Sequence, residues 1–218
     1  MWSAEHLTAA DLEAARDTPR QNEFHPDSRL PPADQAHLDD YRQSGYDRGH
    51  MTPSGDMPTG QAQQQSFSLA NMILQTAALN RGIWEAIETA VRRLAARRGE
   101  LYLVTRPVFA GEQIGSIGPS GVLVPSATWK AVYDPRAHAT GVYVCANTTA
   151  PGCDVASVAT LVRLAGIDPF PALPADLKET AMTLPDPEHG GRSSRSRRRQ
   201  PREPRGILEQ LFRYQERP

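Results

Sequence analysis

Gly45-Tyr46-Asp47-Arg48-Gly49-His50-Met51-Thr52-Pro53 is the stretch on which the reading of this chain turns. It sets a carboxylate, a guanidinium and an imidazole within four residues, and it is followed by Asn71, Gln75, Asn80 and Glu88. Taken singly, each has a plain explanation. Asp47 and Arg48 suit a surface ion pair, Asn80 suits the N-cap of a helix beginning near Arg81, and Glu88 suits an exposed helical position. Downstream, Ile83, Trp84, Ile87, Val91, Leu94 and Ala95 recur at spacings of three and four, which predicts an amphipathic helix over 79–98. Upstream, Thr8-Ala-Ala-Asp11 reads as a capping box opening a short helix through Arg16, which Pro19 ends. Residues 20–34 read as irregular, and a second short helical stretch runs from Pro32 to about Arg42.

Beyond the long helix, Leu101 to Thr105, Gly121 to Pro125, Thr128 to Tyr133 and Gly141 to Cys145 are short, rich in Val and Tyr and bounded by Gly and Pro. They predict four strands of a mostly antiparallel sheet. Val155, Val158, Leu161, Val162 and Leu164 form a helical stripe stopped by Gly166, and Ala175 to Ala181 reads as a short helix. From Pro185 the composition shifts to Arg, Ser, Pro and Gly, so residues 1–184 read as one domain and 185–218 as a largely disordered Arg-rich tail.

The whole-chain balance conceals that division. The 218 residues carry 24 Lys plus Arg against 25 Asp plus Glu, a formal net charge of −1. Residues 191–218 hold nine Arg and three Glu, or +6, which leaves −7 on residues 1–190. A tail of this kind suits extra affinity for phosphates, or a solvated end with no partner; 22 Arg against 2 Lys in the whole chain weakens any special claim for its arginines. No run approaches the 18 apolar residues of a membrane span, and the amino terminus lacks the basic and apolar regions of a secretory signal. Cys145 and Cys153 flank Ala-Asn-Thr-Thr-Ala-Pro-Gly; they either pair, closing a loop worth about 2.5 kcal/mol in an oxidising compartment, or stand as two free thiols.

Together, Asp47-Arg48-Gly49-His50, the run Phe67-Ser-Leu-Ala-Asn71-Met-Ile-Leu-Gln75, then Asn80-Arg-Gly-Ile-Trp84 and Glu88 resemble the DRGH signature and asparagine-rich motif of the DNA/RNA non-specific endonucleases, which include endonuclease G. Val104-Thr105 with Pro107, Val124-Pro125-Ser126 with Trp129-Lys130, and Leu164 to Pro174 extend the resemblance over roughly Trp2 to Leu184. It implies an α+β chain with the ββα-metal nuclease fold, a central antiparallel sheet flanked by helices. By the same resemblance His50 is the general base that activates water, Asn80 the direct protein ligand of Mg2+ (Mn2+ as a substitute), and Glu88 holds the water shell of that ion. Asn71 orients the site around His50, Arg48 contacts phosphate, and Arg20 stabilises the transition state.

The implied reaction is hydrolysis of phosphodiester bonds in DNA and RNA, single- or double-stranded, leaving 5′-phosphate ends. A homodimer and an inhibitor protein are further partners the resemblance suggests, and it suggests export, periplasmic or secreted, for the full-length form. Three departures stand against the pattern. Arg106 occupies a place where the family usually has Gly, Leu74 a place commonly held by Pro, and the chain starts at Met1-Trp2 where relatives have usually completed an N-terminal strand. The first and the last of these departures support an alternative, a catalytically impaired nucleic-acid-binding protein on the same fold. An acidic body also sits uneasily with non-specific affinity for polyanions.

Overall fold

The computed structural model describes residues 1–187 and 206–215. In chain order, β1 (Ser3–Thr8) runs into α1 (Ala9–Arg16), whose N-terminus is closed by the reciprocal Thr8–Asp11 capping box that the sequence predicts. A long irregular segment with two single-turn helices, Pro32–Asp34 and Leu38–Tyr41, leads to β2 (Asp47–His50). Then come α2 (Gly60–Ser66), β3 (Met72–Gln75), a wide helical turn over Leu79–Trp84 and α3 (Glu85–Arg98). The second half is β4 (Glu100–Val108), a small hairpin of β5 (Ser116–Ile117) and β6 (Val122–Leu123), β7 (Ala127–Asp134), β8 (Ala139–Ala146), β9 (Cys153–Ala156), α4 (Val158–Ala165), α5 (Asp176–Glu179) and α6 (Ile207–Gln215).

Five strands form an antiparallel sheet in the order β1-β4-β7-β8-β9. Helices cover both faces, so β7 and β8 are buried on successive residues instead of alternating, Thr128 and Lys130 included. Trp129, Ala131, Val142 and Val144 pack under α4 and α6. Val132, Tyr143, Leu101, Leu103 and Leu7 meet Ile87, Val91 and Leu94 of α3 on the other face. The four strands expected from composition are all present, with Gly121 to Pro125 reduced to the two residues of β6.

Several features differ from the sequence reading. The chain opens on a strand, β1, which pairs with β4 along its whole length. Val155, read as the first residue of a helical stripe, lies in β9, and the helix starts only after the Ser157 N-cap. The 79–98 helix is kinked at Gly82 (φ −117°, ψ −111°), so that α3 proper starts at Glu85. The expected tail also departs from a disordered segment at its end. Leu208, Leu211 and Phe212 share one face of α6 and pack against α4, and Asp154 accepts a hydrogen bond from the Leu208 amide at the helix start (3.1 Å). Averaging the composition of 185–218 hid that stripe; residues 188–205 lie outside the described residues. Leu211 is buried, so Leu211→Ala is expected to cost about 2–3 kcal/mol, read as a lower midpoint in urea unfolding with an unchanged slope.

Candidate active site

The β2–β3 pair and the kinked turn before α3 converge on one cleft of ≈ 580 Å³. Asp47, Arg48 and His50 come from β2, Arg20 and Phe24 from the irregular segment, Asn80 and Arg81 from the turn, and Glu85, Glu88 and Arg92 from one face of α3. Gly49 is required between them: a Cβ at that position would meet the Gln75 side chain, its Oε1 at 2.0 Å. Five of the six residues singled out from the sequence thus line the same space. Asn71 does not. It lies behind the strand, where its Nδ2 donates to the carbonyls of Thr52 and Ser66 and its Oδ1 accepts from the Thr52 amide (all 2.9–3.0 Å), fixing the chain two residues beyond His50.

His50 stands edge-on to Phe67, ring centroids 5.0 Å apart, and its buried Nε2 has no hydrogen-bond partner among the described residues. Burial first, and the charge of Arg20 second, lower its pKa to about 4, so the imidazole is neutral at pH 7. An unfolded His titrates near 6.5, so between about pH 6.5 and 4 the unfolded chain binds the proton first and His50 costs stability as the pH falls. An NMR titration of the metal-free protein should accordingly show the His50 Cε1 resonance moving near pH 4. A midpoint near 6.5 would contradict its desolvation.

Asn80 is not the cap of a helix. Its Nδ2 donates to Asp47 Oδ2 (3.0 Å), while the hydroxyl of Thr76 accepts from the Leu79 amide (3.2 Å) and serves as the cap. Asp47 is held by Arg81 through a two-pronged pair (2.6 and 2.7 Å), not by Arg48, and that pair lowers the carboxyl pKa. An ionised Asp47 only accepts hydrogen bonds, so the group of Asn80 facing it is the NH2, and Oδ1 has no protein partner among the described residues. A neutral oxygen left over in this way suits a hard cation that keeps most of its waters. Among the described residues no group of three or more His, Cys, Asp or Glu stands where it could hold a metal, and Asn80 and Glu88 line the same cleft.

Glu88 is half-buried on the cleft wall, and desolvation pushes its pKa up to about 7 against the opposing pull of Lys130 and Arg92. Arg92 lies 3.7 Å from Glu88 and pairs with the buried Asp56. Behind them Glu5 is buried beside Asp56, and burial first, with the Asp56 charge second, raises Glu5 well above the usual carboxylate range. Lys130 ties this cluster to the site: its Nζ donates to Thr105 Oγ1 (2.6 Å) and to the carbonyl of Met51 (3.2 Å), next to His50. The sequence reading passed over Asp47, Arg81, Arg92 and Lys130 as site residues; only the spacing Glu88-Arg92, one helical turn, carried a local signal.

Two arginines are braced on aromatic faces. Arg48 lies 4.1 Å from the Phe24 ring centroid and Arg20 lies 5.4 Å from that of Phe67. Stacking in this manner leaves guanidinium edges free for an anion. Four arginines face three carboxylates here, of which Asp47 is neutralised by Arg81 and Glu88 titrates near 7. The cleft is therefore cationic although residues 1–190 carry −7.

Residues 1–176 match the DNA/RNA non-specific endonuclease family. The chain belongs to that family. Among curated relatives, the mitochondrial nuclease EXOG of Danio rerio is 34% identical over 194 residues, covering 79% of this chain and 56% of the relative. The mitochondrial Nuclease 1 of Schizosaccharomyces pombe is 35% identical over 143 residues, 60% of this chain and 44% of the relative. The chain thus spans about half the length of these relatives. A solved structure of an EndoG/EndoGI complex, described as showing the mechanism of EndoG inhibition, superposes with a TM-score of 0.70 at 26% identity, covering 81% of this chain and 80% of that one. The α+β fold with an antiparallel sheet between helices is the expected one. No helix among the described residues is long and apolar enough to cross a membrane.

Proposed function

We propose that this endonuclease-family chain hydrolyses phosphodiester bonds in both DNA and RNA without base specificity, leaving 5′-phosphate ends. The observation that carries the reading is the convergence, in one cationic cleft, of a neutral His50, an Asn80 with an unspent Oδ1, and Glu88. Asn80 would hold a divalent ion, Mg2+ with Mn2+ as a substitute, which would supply charge neutralisation to the reaction. His50 takes the proton of the attacking water on its ring nitrogen, which its depressed pKa keeps unprotonated well below neutrality. Glu88 would accept hydrogen bonds from the water shell of that ion. Arg48 and Arg20 present N–H donors to the non-bridging oxygens as charge builds on them. Asn71 positions the Met51–Thr52 segment and, through it, His50.

Contacts of this type address phosphate and sugar, which carry no direct sequence information. Of the grounds for the impaired-binder alternative, Arg106 sits in β4 opposite Trp129, outside the residues that line the cleft. The Cys145–Cys153 disulfide agrees with export to an oxidising compartment. An inhibitor protein is proposed by likeness to the EndoG/EndoGI complex, and a homodimer from the resemblance alone. The test is digestion of end-labelled DNA and RNA oligonucleotides of mixed sequence. Ladders with cuts after all four bases on both polymers are expected; cleavage confined to one polymer or one base overturns the reading.

A further inference from the structure

Cys145 of β8 and Cys153 of β9 face each other across the sheet edge and are joined in a disulfide. The seven residues between them form a loop that reaches back to the segment carrying Asn80. Asn147 uses its whole side-chain amide there. Its Nδ2 donates to the carbonyls of Leu74 (2.8 Å) and Pro125 (2.9 Å), and its Oδ1 accepts from the Thr76 amide (2.8 Å). The next residue, Thr148, accepts from the hydroxyl of Thr76 (2.7 Å). That same hydroxyl accepts from the Leu79 amide, and the Thr76 carbonyl accepts from the Asn80 amide (2.9 Å). The loop therefore grips both ends of the residue that starts the Asn80 turn. Backbone bonds from Ala146 to Gly152 and from Asn147 to Ser126 hold the loop itself (3.0 and 2.9 Å).

We infer that Asn147 is a positioning residue of the nuclease site, setting Asn80 through Thr76, and that the Cys145–Cys153 bond makes this positioning sensitive to dithiols. The inference rests on the function proposed above. The disulfide anchors the two ends of the loop, one sulfur on fully buried Cys145 and the other on half-buried Cys153, so attack by a small dithiol falls on Cys153. One thiolate of the reductant forms a mixed disulfide at Cys153 and releases Cys145 as a thiol. Its second thiol then closes on the first, freeing Cys153; two electrons and two protons pass to the protein and the reductant leaves as a cyclic disulfide. The opened loop no longer holds Asn147 against Leu74 and Thr76, and the Asn80 turn loses its brace.

The experiment measures Mn2+ affinity by calorimetry, and metal-dependent cleavage, for the wild-type chain, Asn147→Ala, Thr76→Val and Thr76→Ser, each with and without dithiothreitol. Partners that orient a metal ligand are commonly worth 10–100-fold in affinity. Asn147→Ala and Thr76→Val should weaken Mn2+ about tenfold or more, with KM for DNA little changed, while Thr76→Ser, which keeps the hydroxyl, should restore wild-type affinity. Dithiothreitol should weaken the wild-type chain by a similar factor and add nothing to Asn147→Ala, because both act through one link. Folded variants that melt earlier yet bind Mn2+ as the wild type does would reduce Asn147 to a structural role and overturn the inference. Should Asn147→Ala fail to fold, the Thr76 pair decides in its place. An additive effect of the reductant would overturn the redox part. A wild-type chain that neither binds Mn2+ nor cuts nucleic acid sinks the proposed function itself, whereas cleavage with unaltered variants sinks this inference alone.

Discussion

His50→Ala is expected to slow metal-dependent cleavage of DNA and RNA by about 10²–10⁴-fold, the range over which general acid–base catalysis contributes. Asp47 is ionised but bound by Arg81 and Asn80, and Glu88 sits on the far wall, on α3. Because His50 Nε2 makes no hydrogen bond among the described residues, removing the ring orphans no partner at that atom, and the loss should lie in kcat with metal affinity and folding cooperativity retained. Single-turnover cleavage at saturating Mg2+, with circular dichroism as a fold control, measures it. A variant within tenfold of the wild type would remove His50 from the reaction.

The second large effect belongs to Asn80. Asn80→Ala removes the one direct ligand proposed for the ion and strips Asp47 of one of its two partners. A loss of about 3 kcal/mol of charge stabilisation corresponds to roughly a 10²-fold fall in rate, with the Mg2+ dependence shifted to higher concentration. The two variants should thus separate: His50→Ala lowers the plateau at saturating metal, and Asn80→Ala moves the midpoint as well. Mg2+ titrations of initial rate distinguish them, and an Asn80→Ala curve superimposable on the wild type would contradict the ligand role.

What the sequence made legible follows from range. The capped helix Ala9–Arg16 and the apolar stripe of α3 declare themselves through neighbours three and four residues away, and both are present. β7 and β8 are legible by composition because they are short segments rich in Val and Tyr. β1 carries Glu5 and His6 within six residues and gives no such run; its place is set by pairing with β4 almost a hundred residues later. Val155 continues the three-residue spacing of Val158 and Leu161, so periodicity alone assigned it to the wrong element.

The site divides in the same way. His50, Asn80, Glu88, Arg48 and Arg20 were reached through motif resemblance, and the structure brings them to one cleft. Their supports were not legible, since Asp47–Arg81, Asp56–Arg92 and Asn147–Thr76 join residues 34, 36 and 71 positions apart. Electrostatics was misleading at the level of the chain for a related reason. A sum over residues 1–190 cannot show that Asp47 is already neutralised or that four arginines line one cleft.

The most direct test of the account is digestion of supercoiled plasmid and of structured RNA by the purified chain in Mg2+, in EDTA, and in EDTA followed by excess Mg2+. Loss of both substrates in Mg2+, none in EDTA, and recovery on restoring the ion is the predicted result. A folded chain that shifts DNA on a gel yet leaves both substrates intact in Mg2+ and Mn2+ would contradict it.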